Sequence, residues 1–146
     1  MKQESGRSMI EIVGILAIGV VMIVAAYNMY KSIDQRQKRL IASETIEDAA
    51  KKTKVLYEYS GYADASIENL VKSGAISDDH LPVGTGWSIQ PENNNKSFRI
   101  TITGLTYDEC EYFLIKKTDW AKVKEINNVS KHCQKNANNE IFFVVD

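Results

Sequence analysis

The chain has 146 residues, 44% of them hydrophobic and 25% charged, with a formal net charge of -1. That length leaves room for one modest domain. Acidic and basic residues are interspersed, which leaves no basic face to attract nucleic acid and no acidic tail to recruit a cationic partner.

The first element is GRSMIEIVGILAIGVVMIVAAYNMY, Gly6 to Tyr30, in which Glu11 is the only charge after Met9. At ~1.5 Å per residue, about 20 apolar residues in a helix cross a ~30 Å hydrocarbon core, so this segment predicts a single membrane span. A cleavable secretory signal is disfavoured, because its apolar region is only about 7–15 residues long and no clean Ala-x-Ala follows here. Lys2 and Arg7 before the span and Arg36, Lys38 and Arg39 after it orient it only weakly.

No proline or glycine occurs between Lys31 and Ser60, so the helix is expected to continue to about residue 60. Within it Ala42, Ile46, Ala49, Ala50, Thr53, Leu56 and Tyr57 recur at helical spacing, with Glu44, Glu47, Asp48, Lys51, Lys52 and Lys54 opposite. The first set is expected to face a core and the second water. Ile33 and Leu40 project elsewhere, either exposed or against another chain.

Gly61 breaks the helix, and DASIENLVKSGAI predicts a short one, with Asp64 or Ser66 as N-cap and Gly74 just past its end. SDDHLPVGTG reads as loop. WSIQ and SFRITIT alternate apolar and polar side chains around PENNNK, which predicts a β-hairpin. In TYDECEYFLIKK, Thr106 and Glu109 predict a capping box, with Cys110, Phe113 and Leu114 on one helical face. WAKVKEI predicts a third strand, and EIFFVVD, a continuous apolar run, a buried one. The resulting fold class is α+β, a long N-terminal helix packed on a small antiparallel sheet.

Little in the chain carries reaction chemistry. His80 lies in a proline-containing loop and His132 beside Cys133, but no C-x-x-C or H-x-x-x-H spacing accompanies them. No nucleophile elbow, phosphate-cradling loop or dinucleotide fingerprint occurs. No enzyme activity, metal or cofactor is therefore expected. Cys110 and Cys133 are the only cysteines. They are either two buried thiols or a disulfide worth ~3 kcal/mol by loop closure, and the membrane span, a route to an oxidising compartment, favours the disulfide.

A carboxylate at bilayer depth costs a few kcal/mol and normally has a partner, so Glu11 either sits close enough to the interface to reach water or is paired. GRSMIEI, a short polar leader ending in glycine, then four residues, then glutamate and an unbroken apolar helix, resembles the processing site of type IV prepilins. FRITITGLTYDECEYFL, WAKV and NNEIFFVVD look most like the type IVb pilins of adherence and conjugative thin pili. Two features depart from the family pattern: Arg7 stands where phenylalanine or methionine is more usual, and the apolar half lacks the proline of many type IVa pilins.

The resemblance implies that a prepilin peptidase cuts between Gly6 and Arg7 and N-methylates Arg7. It divides the chain into a leader (1–6), a transmembrane and filament-core helix (7–30), an amphipathic continuation (31–60) and a globular head closed by a disulfide (61–146). Cleavage would expose an amine of pKa about 8, cationic at neutral pH, which the Glu11 carboxylate of a neighbouring subunit attracts strongly in low dielectric. Glu11 is then an assembly residue, and heterologous contacts propagate an open helical filament.

The implied partners are prepilin peptidase, other pilin subunits and the pilus assembly platform, with no specific nucleic acid. The precursor would sit in a bacterial inner membrane with its head outside the cytoplasm, and the assembled subunit in an extracellular pilus. Rival readings are a pseudopilin or minor pilin of a type II secretion or DNA-uptake system, and a single-pass anchored binding domain that never polymerises.

Overall fold

A computed structural model describes residues 8–128, 130–135 and 138–146, with helical backbone running back to Lys2. The chain forms two compact units, Met1–Gln37 and Lys38–Asp146. Helix α1, Lys2–Tyr57, supplies the described residues of the first unit, and the second takes in the last turns of that helix.

Those last turns show why α1 persists and what it covers. Glu47 pairs with Lys51 at 2.7 Å and Asp48 with Lys52 at 2.8 Å, both one turn apart on the wet face. On the other face Ala42, Ile46, Ala49, Ala50 and Thr53 are fully buried. Ala42, Ile46, Ala49 and Ala50 share one core cluster with the sheet, and Thr53 satisfies its buried hydroxyl by donating to Ala49 O at 2.6 Å. Leu56, expected in this stripe, is 47% exposed instead, beside an open groove that it lines with Gly74 and Ala75. Gly61, at φ 80°, ends the helix by turning its N–H back onto Tyr57 O, a backbone conformation that side chains disfavour.

A single 3-10 turn, Tyr62–Asp64, leads into α2, Ile67–Lys72. Of the two candidate N-caps Ser66 serves, its hydroxyl accepting from Asn69 N at 3.2 Å. The four strands are β1 (Gly86–Glu92), β2 (Ser97–Leu105), β3 (Val123–Ile126) and β4 (Asn139–Val145), in the order β1-β2-β4-β3 with every pair antiparallel. β1 continues through Pro91, which was expected in the turn. As an edge strand it tolerates a residue with no N–H to donate. The hairpin turn narrows to Asn93–Lys96, and Asn93, Asn94 and Asn95 all adopt positive φ, which explains the run of asparagines.

Phe98, Ile100 and Ile102 of β2 and Ile141, Phe143 and Val145 of β4 alternate onto one sheet face and form the core with α1. β4 is apolar from Ile141 to Val145 because it is central and covered on both faces: Phe142, on the far side, lies under the Arg99 guanidinium, 4.2 Å from its ring centroid. Arg99 is in turn paired with Glu92. A bulge at Gly104 bends β2 away. Its φ is 70°, and a Cβ there would meet Thr85 Oγ1 at 2.1 Å, so only glycine fits.

Helix α3, Tyr107–Ile115, carries the expected capping box between Thr106 and Glu109. Cys110 and Phe113 point into the core, whereas Leu114 is 38% exposed, since helical spacing turns it to the edge of that face. Lys124 of β3 closes the other end of α3, donating to Phe113 O, Leu114 O and Lys116 O at 3.1, 2.9 and 2.9 Å. Burial pushes this ammonium down from the ordinary lysine value, and the three carbonyls compensate for the water it loses.

Lys124→Met should therefore destabilise the head by about 1.5–3 kcal/mol, because it strands the last carbonyls of α3. Urea unfolding with an unchanged midpoint would show that water replaces the lysine freely. Reducing the bond between Cys110 and Cys133 should cost ~3 kcal/mol in the same assay.

Candidate functional site

The longest uncovered apolar surface belongs to the first unit. From Met9 to Tyr30 every residue is exposed except Gly19, which is half-buried, and the helix is long and apolar enough to cross a membrane. Glu11 stands exposed near the start of this surface, between Ile10 and Ile12. Gly14 and Gly19 do not break the helix, and the space beside each is open. Gly6 and Arg7, the proposed cleavage and methylation pair, lie outside the described residues, so of the expected assembly site the structure bears on Glu11 alone. Ile33 is 59% exposed, as its position off the core stripe implies.

In the second unit Cys110 and Cys133 form a disulfide with their Cα atoms 5.9 Å apart. The bond ties α3 to the loop before β4. Asn139, fully buried at the start of β4, completes that closure. Its Oδ1 accepts from Gln134 N at 2.7 Å and Asn127 Nδ2 at 2.8 Å, and its Nδ2 donates to Leu105 O at 3.2 Å and Gln134 O at 3.0 Å. No local pattern signals this amide, because its partners are set by tertiary structure. His132 is exposed, and what it contributes to the loop is its carbonyl, which accepts from Asn127 Nδ2 and Ser130 Oγ.

The fold also gathers Asp78, Asp79 and His80, whose ligand-type atoms lie within 4.8 Å of one another, all exposed. His80 Nδ1 is 2.9 Å from Asp78 Oδ1 and 2.6 Å from Asp79 Oδ1, so internal pairing accounts for the arrangement. Motif spacing missed this cluster because it is a contiguous D-D-H run rather than a spaced one. The hydrogen bond to Asp78 raises the His80 pKa, aided by the charges of both aspartates, and the same bond holds Asp78 below the ordinary carboxylate range.

The sign of each shift sets its pH window. Stability from the raised imidazole is full below the pKa of a free histidine and lost as pH rises through the folded value. Stability from the depressed carboxylate is present above the free aspartate pKa and lost as pH falls through its folded value. The loop tether is therefore firmest at about pH 4–6.5. His80 should titrate by NMR with a midpoint above 6.5 that drops in Asp78→Asn. A midpoint at or below 6.5 would mean that the aspartates do not hold the ring in solution.

Compared with known proteins, the chain matches no family model and no curated protein.

Proposed function

We propose that this chain is the structural subunit of a type IV pilus-like filament, processed by a prepilin peptidase and assembled through α1. The observation that carries the reading is the uncovered apolar surface of α1 from Met9 to Tyr30, with the single carboxylate Glu11 near its start. A head that buries its own core and is closed by the Cys110–Cys133 disulfide supports it.

The chemistry is a change of solvent for one surface. Before assembly, lipid covers the apolar side chains, and Glu11 reaches the interface or pairs there. In a filament the same side chains pack against the α1 helices of other subunits, so little apolar area meets water in either state. Direction comes from charge. Cutting after Gly6 creates an α-amine on Arg7, and in a helix bundle this amine and the Glu11 carboxylate of a neighbour neutralise each other at one axial register. With this ion pair as the register device, a carboxylate in an apolar segment has a reason to be there.

Co-expression with a prepilin peptidase should remove residues 1–6 and leave N-methylated Arg7 as the first residue in the mass spectrum. Gly6→Val should abolish the change, and a wild-type mass that stays at full length would rule the filament reading out. Glu11→Ala should leave membrane insertion intact but lower filament incorporation at least about tenfold, since leaving a buried charge unpartnered costs about 3–5 kcal/mol. Normal filaments from Glu11→Ala would remove the proposed pairing.

A further inference from the structure

Between α2 and β1 the head carries an open groove of 580 Å³, lined by Ile67, Glu68, Val71, Lys72, Asp79 and Trp87. Its volume falls in the range of small-ligand sites, about 300–1,000 Å³. Trp87 is half-buried, packed against the core, and its indole Nε1 donates to Asp79 O at 2.7 Å. That bond fixes the ring, so presenting it to a ligand costs little side-chain entropy. Ile67 and Val71, both half-buried, extend the apolar lining.

The charged groups in the groove already have partners, Glu68 and Lys72 each other and Asp79 the neighbouring His80. Glu68 Oε1 accepts from Lys72 Nζ at 2.7 Å, and Asp79 Oδ1 lies 2.6 Å from His80 Nδ1. A cationic ligand would have to displace Lys72 or His80 from these carboxylates. A hydroxyl group would not, because each ionised carboxylate has about four lone-pair directions and an ammonium has three donors. The groove thus offers a rigid aromatic surface beside acceptors and a donor that can take further neutral partners.

We propose that this groove binds a neutral saccharide, a pyranose ring whose C–H face lies on Trp87 and whose hydroxyls bond the Glu68–Lys72 pair and the Asp79 carboxylate. A pyranose matches it because it has an apolar face and a hydroxylated rim on one rigid ring. The site belongs to the head alone and does not depend on whether α1 assembles into a filament.

The test uses the full chain in lauryldimethylamine oxide micelles, a detergent without a sugar headgroup. Trp120→Phe leaves Trp87 as the sole indole, since the chain has 2 tryptophans. Titrating this variant with cellotriose, chitotriose and lactose in the millimolar range should give a saturable change in Trp87 emission with at least one of them. By saturation-transfer NMR, Trp87→Ala should weaken that sugar's binding about tenfold or more. Because Trp87 also packs on the core, a second variant is needed: Glu68→Ala with Lys72→Ala, both exposed, should weaken binding several-fold at an unchanged melting temperature. The proposal is overturned by no saturable response to any of the three sugars, by undiminished affinity in the double variant, or by a response to lysine amide with none to the sugars.

Discussion

The head depends on the core that the last turns of α1 share with the sheet. Ala42, Ala49 and Ala50 have no side chain beyond Cβ, and Thr53 folds its hydroxyl back onto its own helix, so this face of α1 brings little volume to the core. Large side chains then come from the sheet: Phe98, Ile100, Ile102, Ile141 and Phe143 are all fully buried. Each contributes about 1.5–3 kcal/mol of transfer free energy, and together they are the main force opposing chain entropy in this small unit. A bulky residue at Ala49 would push the helix away from all of them at once.

The loop between β3 and β4 is secured by different means, because it is polar. It has few apolar side chains to bury, so the disulfide and hydrogen bonds of the Asn139 side chain hold it. One is covalent and the other is a satisfied polar group in a dry place, and both restrict the loop without needing a core. Lys124 does the same for the end of α3, with a cation replacing the water that its carbonyls would otherwise bind.

The two halves of α1 therefore obey different rules. From Lys38 on, amphipathic spacing gives one face to the core and the other to water. From Met9 to Tyr30, apolar residues occur on every side, a pattern that needs lipid or other helices to cover it. The proposed filament uses both coverings in succession, with Glu11 as the charge that lipid tolerates poorly and a neighbouring amine satisfies.

Much of this was legible in the residues. Helix periodicity, the Gly61 stop, the capping box at Thr106 and Glu109, the alternation in β1 and β2 and the apolar run of β4 are local signals, and each produced the element it indicated. Leu56 and Leu114 misled because periodicity tells which face a residue takes but not how far the opposing layer reaches. Pro91 misled because proline excludes a strand only where its N–H is needed, and being at the edge of a sheet is a property of topology. The favoured disulfide between the only two cysteines, Cys110 and Cys133, formed as expected, whereas the burial of Asn139, the cap from Lys124 and the groove beside Trp87 join residues distant in sequence. The sequence by itself determined the elements and the apolar helix, because those depend on spacing along one chain. Only the tertiary structure decided which polar groups meet, because hydrogen bonds and grooves depend on where separate segments come to rest.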